Sequence, residues 1–261
     1  MAKSRIKAVA FDLDGVVYRG NAPVKGVANA IDCLKKSGIR VFFMSNNSTK
    51  ARGACAQKLA GMGIAAKKHD IYTSAHAAAD YCALNGYKTA YVIGEGGLVQ
   101  ELQGAGIRVV KKTNPDCVVV GLDRGIVYEK IGKAANAIGN GAAFVATNTD
   151  GSYPHEKGFA PGAGAIVAAV SVSCSKPPDF VAGKPHNYMI TELMRENRLK
   201  KSELLIVGDR LDTDIACAKG AGVKSALVLT GVSKKSDVKK LPKRMRPDFV
   251  LESAANIKTA L

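Results

Sequence analysis

Short apolar runs alternate along this chain with longer stretches in which apolar residues return every three or four positions. The first run, 8–11, reads Ala-Val-Ala-Phe and stops at Asp12-Leu13-Asp14-Gly15. A run apolar at every residue is the pattern of a parallel strand covered on both faces, because a strand with one wet face would alternate. Similar runs predict strands over 39–44, 89–93, 107–110, 117–120, 142–147, 203–207 and 223–229, with a last short one at 249–251. Between the first two, Val27, Ile31 and Leu34 share a helical face and predict a helix over 27–36, closed by Ser37-Gly38. Further helices are expected up to about Met62, and over 98–102, 127–138, 186–196 and 212–219, the last stopped by Gly220 and Gly222. Strand and helix in alternation build a parallel sheet with right-handed crossovers.

The alternation restarts near residue 80 and is bounded on the far side by Lys176-Pro177-Pro178. The stretch between is about a hundred residues, enough for a core of its own. The expected architecture is α/β: a doubly wound parallel-sheet core made of 1–79 and 181–261, interrupted by an inserted α/β domain at 80–180.

Composition narrows the partners. A hydrophobic share of 47% and a charged share of 23% are those of an ordinary globular chain, which excludes wholesale disorder. Lys and Arg number 38 against 22 Asp and Glu, a formal net charge of +16. The basic residues are scattered and lack the interleaved aromatics of a single-strand binder, so nucleic acid is not the expected partner. A lysine-rich surface that attracts small anions is the simpler reading. None of the six cysteines forms a C-x-x-C pair, and they lie mostly in apolar contexts, as buried free thiols do in a reducing cytoplasm. No signal-peptide core stands at the N-terminus, and the longest apolar stretch, 163–172, is far short of the ~20 residues that span a bilayer. A cytoplasmic protein without a membrane partner is expected.

The chemistry gathers where predicted strands end. Asp12 and Asp14 close the first strand, Ser45 and Asn46 the second, and Asp209 a later one, with Asp212 and Asp214 following; Lys184 heads a helix between them. Each piece has a plain structural reading: a turn for Asp12 to Gly15, helix caps for Ser45-Asn46 and for Asp212, and a solvated surface residue for Lys184. Together they read differently. The ends of parallel strands share one edge, where open α/β sheets place their ligands. Carboxylates without clustered histidine or thiolate favour a hard cation, Mg²⁺ foremost. A hydroxyl, backbone amides and a lysine favour a phosphate. Those parts describe phosphoryl transfer, in which electrostatic positioning does most of the catalysis.

The ordered set D-L-D-G, S-N-N-S, G-K-P and V-G-D-R-L-D-T-D-I resembles the haloacid dehalogenase superfamily of phosphatases. T-N-T-D and P-G-A-G inside the inserted stretch resemble its 4-nitrophenylphosphatase or NagD-like branch. The resemblance implies a Rossmann-like core, an inserted mobile cap, dependence on Mg²⁺ and a set of roles. Asp12 would be the nucleophile and a metal ligand, and Asp14 the general acid and base, its carbonyl also on the metal. Ser45 and the Asn46 amide would hold the phosphoryl group, with Lys184 neutralising charge. Asp209 would be the second metal carboxylate, supported by Asp214. The resemblance places Asn148 and Asp150 near the substrate, although a plain turn explains them equally well. The expected function is hydrolysis of a small phosphorylated metabolite through an aspartyl-phosphate. A phosphomutase or phosphotransferase using that intermediate, and a non-catalytic phospho-ligand binder, stay open, as does a homodimer formed through the cap.

Overall fold

The computed structural model describes residues 6–111, 114–155 and 158–261, the side chains of 154 and 155 excepted. The chain divides into two compact units, one of 1–45, 55–72 and 184–261, the other of 46–54 and 73–183. Those limits differ from the bounds expected above: the second unit takes in 73–79 and 181–183, and it also takes 46–54, a stretch expected in the core.

In the first unit six strands form one sheet in the order Phe249–Leu251, Lys224–Val228, Leu204–Gly208, Ala8–Asp12, Arg40–Ser45, Ile71–Thr73. Ala8–Asp12 runs parallel to both neighbours, with Ala8 opposite Leu204 on one side and Asp12 opposite Met44 on the other. All five of its residues are buried, which is why its sequence shows no alternation. Phe11, Leu13, Leu34, Phe43 and Val207 belong to one apolar cluster on this sheet. Each such side chain contributes about 1.5–3 kcal/mol when fully buried. The helix Val27–Lys36 ends at Ser37, and Gly38 takes φ +77°, letting the Ile39 amide return to the Leu34 carbonyl at 3.0 Å.

The order of strands reverses direction beside Ala8–Asp12. The chain first winds outward through Arg40–Ser45 and Ile71–Thr73, then returns to lay Leu204–Gly208 on the opposite side. The gap between Ala8–Asp12 and Leu204–Gly208 is therefore the topological switch point, where carboxyl ends of adjacent strands leave a crevice.

The second unit has its own parallel sheet, ordered Phe180–Val181, Ala143–Ala146, Cys117–Val120, Thr89–Ile93, Arg108–Val109. Its cluster is built on Tyr91, Ile93, Val118, Val120 and Phe144, with Ile166, Val167 and Val170 from the helix Ala163–Cys174. Periodicity missed that helix because its outer face is also apolar, Val172 being 80% exposed. The helix Ser74–Leu84 was missed because its buried residues are chiefly alanine, which gives little contrast. The antiparallel pair Ser152–His155 and Gly158–Pro161 was likewise unanticipated. No helix among the described residues is long and apolar enough to cross a membrane. All six cysteines are free thiols, but Cys33, Cys55 and Cys174 are only partly buried, against expectation.

Candidate active site

Asp12 is the last residue of its strand, and Asp209 follows directly on the end of Leu204–Gly208, so the switch point brings them to one edge. Asp214 arrives from a wider, π-helical turn, Leu211–Ile215, that leads into the helix Ala216–Ala221. A regular helix over 212–219 was expected; the extra residue in this turn turns Thr213, Asp214 and Ile215 inward. One oxygen from each of Asp12, Asp209 and Asp214 lies within 4.8 Å of the others. Lys184 Nζ donates to Asp12 Oδ1 and, at 2.6 Å, to Asp214 Oδ1. All four side chains are buried, Lys184 at 4% exposure.

Backbone amides orient the two later acids. Val232 N–H donates to Asp209 Oδ2 at 2.8 Å, and Arg210 N–H donates to Asp214 Oδ2 at 3.1 Å. Glycines make the room. A Cβ on Gly208 would stand 2.1 Å from the Asp214 Cβ, and one on Gly231 would stand 1.8 Å from Asp209 Oδ2. Gly15 takes φ +84°, and a side chain there would meet Asp209 Oδ2 at 2.7 Å. Val232 and Gly231 were not anticipated from sequence. The one available signal was a Thr-Gly pair at the end of a predicted strand; a backbone amide has no signature of its own.

Charge in this pocket does not balance. Three carboxylates and one ammonium leave an excess of two negative charges when all are ionised. Burial foremost, opposed by Lys184 and reinforced by Asp214 and Asp209, holds Asp12 well above the usual carboxylate range. Burial, with Asp214 beside it, pushes Asp209 up to about 6. Burial disfavours the Lys184 ammonium, but Asp12 and Asp214 outweigh it and its pKa stands above the ordinary lysine value. Three oxygen donors with two unbalanced negative charges, and no histidine or thiolate in the group, fit a hard dication such as Mg²⁺.

The other expected residues fall into four places. Asp14 lies outside that trio and reaches solvent, yet the protein packed around its carboxyl desolvates it and raises its pKa, with Lys58 the foremost charge opposing the rise. Ser45 is buried at the end of Arg40–Ser45, one residue past the partner of Asp12. Asp212 neither caps a helix nor joins the carboxylates; it is solvent-facing and paired with the Arg210 guanidinium at 2.8 Å. Asn46, Asn148 and Asp150 meet in the second unit. Asn46 Nδ2 donates to Asp150 Oδ2 at 2.8 Å, while the Asn46 carbonyl accepts from Asn148 Nδ2 at 2.8 Å and Ser74 Oγ at 2.6 Å.

The stretch that Asn46 begins crosses the carboxyl edge of the second sheet. The Leu122 amide donates to Ser48 Oγ at 3.3 Å, and the Gly97 amide to the Thr49 carbonyl at 3.2 Å. Arg52 binds Glu101 through its amide at 2.8 Å and its guanidinium at 3.1 Å. A Cβ on Gly97 would stand 2.5 Å from the Lys50 backbone, so the absence of a side chain there makes space for the crossing chain.

Carboxylates and a lysine buried together at the switch point of a doubly wound sheet define an α/β enzyme site with oxygen donors for a cation. Comparison with known proteins narrows the class. Residues 9–108 match the family model for haloacid dehalogenase-like hydrolases, and residues 181–257 match a HAD-hydrolase-like model. An acid sugar phosphatase of Staphylococcus epidermidis is 41% identical over 233 residues, covering 89% of this chain and 90% of the relative. NagD from E. coli K-12 superposes with a TM-score of 0.89 at 36% identity, over 97% of this chain and 98% of that one. A glycerol phosphate phosphatase of Mycobacterium tuberculosis, solved in complex with magnesium, has a TM-score of 0.88 at 34% identity, covering 95% of this chain and 76% of its own. The chain belongs to the haloacid dehalogenase-like hydrolases, in the NagD-like branch of enzymes that hydrolyse phosphomonoesters.

Proposed function

We propose that this protein is a Mg²⁺-dependent phosphatase of small phosphomonoesters, sugar and polyol phosphates foremost, working through an aspartyl-phosphate on Asp12. The observation that carries the reading is Lys184 bridging Asp12 and Asp214, with Asp209 within 4.8 Å, at the switch point of the first sheet. A protein that only bound a phosphorylated ligand would not need to bury three acids around one lysine. The names of the sugar and glycerol phosphate phosphatases to which it is similar support the substrate class.

Asp12, Asp209 and the Asp14 carbonyl would hold Mg²⁺, with Asp214 beside them. Bound there, the ion supplies the positive charge that the acids lack and lessens repulsion between Asp12 and an incoming phosphate. Lys184 favours the ionised form of Asp12 against the burial that opposes it, as the ion would, and directs the carboxylate by hydrogen bond. The Asp12 carboxylate attacks phosphorus; the bond to the ester oxygen breaks, and Asp14 gives that oxygen a proton. The partial desolvation that raises the Asp14 carboxyl favours its holding that proton beforehand. Asp14, now ionised, takes a proton from water, which attacks the acyl phosphate and releases inorganic phosphate and free Asp12. Ser45 hydroxyl and the Asn46 amide receive the phosphoryl oxygens. Asn148 and Asp150 serve the substrate through Asn46, whose carbonyl and side chain they hold. The thiol-bearing apolar elements suit a reducing cytoplasm.

The test is phosphate release from a panel of sugar, polyol, nucleoside and aryl phosphates, each with Mg²⁺ and with chelator. Turnover of small sugar or polyol phosphates that stops on chelation is the expected result. Absence of hydrolysis across the whole panel, from protein that binds phosphate, would identify a binder.

A further inference from the structure

Four residues beyond the strand Lys224–Val228 take no part in the chemistry above, yet both acidic turns are tied to them. Residues 230–233 read Thr-Gly-Val-Ser. Thr230 Oγ1 donates to the carbonyl of Gly15 at 2.7 Å, and the Arg19 guanidinium donates to the Thr230 carbonyl. The chain just past Asp12 and Asp14 is thereby fastened on two sides. Val232 N–H donates to Asp209 Oδ2 at 2.8 Å, and Ser233 N–H to the Asp209 carbonyl at 3.1 Å. Ser233 Oγ accepts from Leu211 N–H at 3.1 Å, at the start of the turn that carries Asp214. Between these anchors Gly231 passes so close to Asp209 that a Cβ would stand 1.8 Å from Oδ2 and 2.4 Å from the Asp209 Cβ.

We propose that residues 230–233 form the positioning strap of the cation site, setting the distance and orientation between the Asp12 turn and Asp209 through Thr230, Gly231 and the Val232 amide. The inference rests on the reading of the three carboxylates as a Mg²⁺ site. Its physical basis is direct. Like charges at this separation repel, and the sheet ends before either Asp14 or Asp209, so strand pairing alone does not fix the two turns. The strap supplies five hydrogen bonds across them and packs its Gly231 backbone against one side of the Asp209 carboxylate. None of its residues touches the reacting atoms; the strap acts through Asp209 and Gly15.

The experiment measures Mg²⁺ affinity of the whole protein by calorimetry without substrate, alongside the Mg²⁺ concentration that half-activates hydrolysis of an aryl phosphate. Thr230→Val removes the hydroxyl at nearly constant volume, Thr230→Ser restores it, and Gly231→Ala forces Asp209 to move. Losing such an outer partner weakens metal binding about 10–100-fold. Gly231→Ala is expected in that range and Thr230→Val at its lower end, with Thr230→Ser near the parent. At saturating Mg²⁺ the turnover of Thr230→Val should return to within about twofold of the parent, because positioning and not chemistry is impaired. Should Gly231→Ala fail to fold, the Val and Ser pair decides alone. Equal Mg²⁺ affinity for parent and Thr230→Val overturns the strap. A parent protein that binds no Mg²⁺ would instead overturn the cation site itself, and the two failures are distinct.

Discussion

Lys184 is the residue on which the electrostatics of the pocket turn. Without it, three buried acids face one another with no cation among them. Lys184→Met is expected to abolish turnover and to destabilise the metal-free fold by about 3–5 kcal/mol, the range for removing one partner from a buried ionic group. Urea unfolding measures it, and the loss should shrink at acid pH, where the acids protonate. The parent has a related dependence. Asp209 titrates near 6 in the folded state against an ordinary 3.8, so the native protein retains a proton that the unfolded chain has released. Stability of the metal-free protein should therefore fall as pH rises from about 4 through about 6. Mg²⁺ should restore it above that range and release protons on binding; a melting temperature independent of pH in chelator would contradict the assignment. Asp12→Asn should remove turnover altogether. Asp14→Asn should spare esters with leaving groups of low pKa, which need no proton, and an equal loss for aryl and alkyl phosphates would exclude the acid role. These acids were legible in sequence because each stands where an apolar run stops. The amide of Val232 was not, since a main-chain donor carries no residue identity.

Legibility changes at the level of strands and helices. The strands Ala8–Asp12, Thr89–Ile93 and Cys117–Val120 could be read because parallel strands buried on both faces are apolar throughout. Ile71–Thr73 escaped because three residues make no run. Ala163–Cys174 escaped because its outer face is as apolar as its inner one. Its beginning also explains the P-G-A-G sequence. Gly162 and Gly164 lie against the T-N-T-D loop so closely that a Cβ would stand 2.2 Å from the Asp150 carbonyl and 2.3 Å from that of Thr149. Gly164→Ala must push the loop aside, and overpacking of this kind costs about 1–3 kcal/mol. Since that loop holds Asn46, the variant should raise KM for every substrate alike; a change confined to one sugar would mean that the loop touches the sugar itself.

Across the whole molecule, two separate cores make stability a local property. Phe43 lies in the cluster of the first unit and Phe144 in that of the second. Truncating either to alanine should cost about 3–5 kcal/mol. Hydrogen exchange would locate each loss: Phe43→Ala should lower protection chiefly in the first sheet, and Phe144→Ala in the second. Mg²⁺ should protect the first alone. Composition foresaw a globular chain and the sequence pattern foresaw two sheets. The unit to which 46–54 belongs could not be foreseen, because its grip depends on amides and carbonyls of Gly97, Leu122 and Arg52.

That grip has a consequence for the second sheet. It is wound like the first, with its own reversal between Thr89–Ile93 and Cys117–Val120, the place where such a sheet would ordinarily admit a small molecule. Ser48 and Thr49 sit there instead, so the berth is filled by the protein's own peptide. A fragment of 73–183 should consequently be an empty socket, poorly ordered until a synthetic peptide of residues 46–54 is supplied.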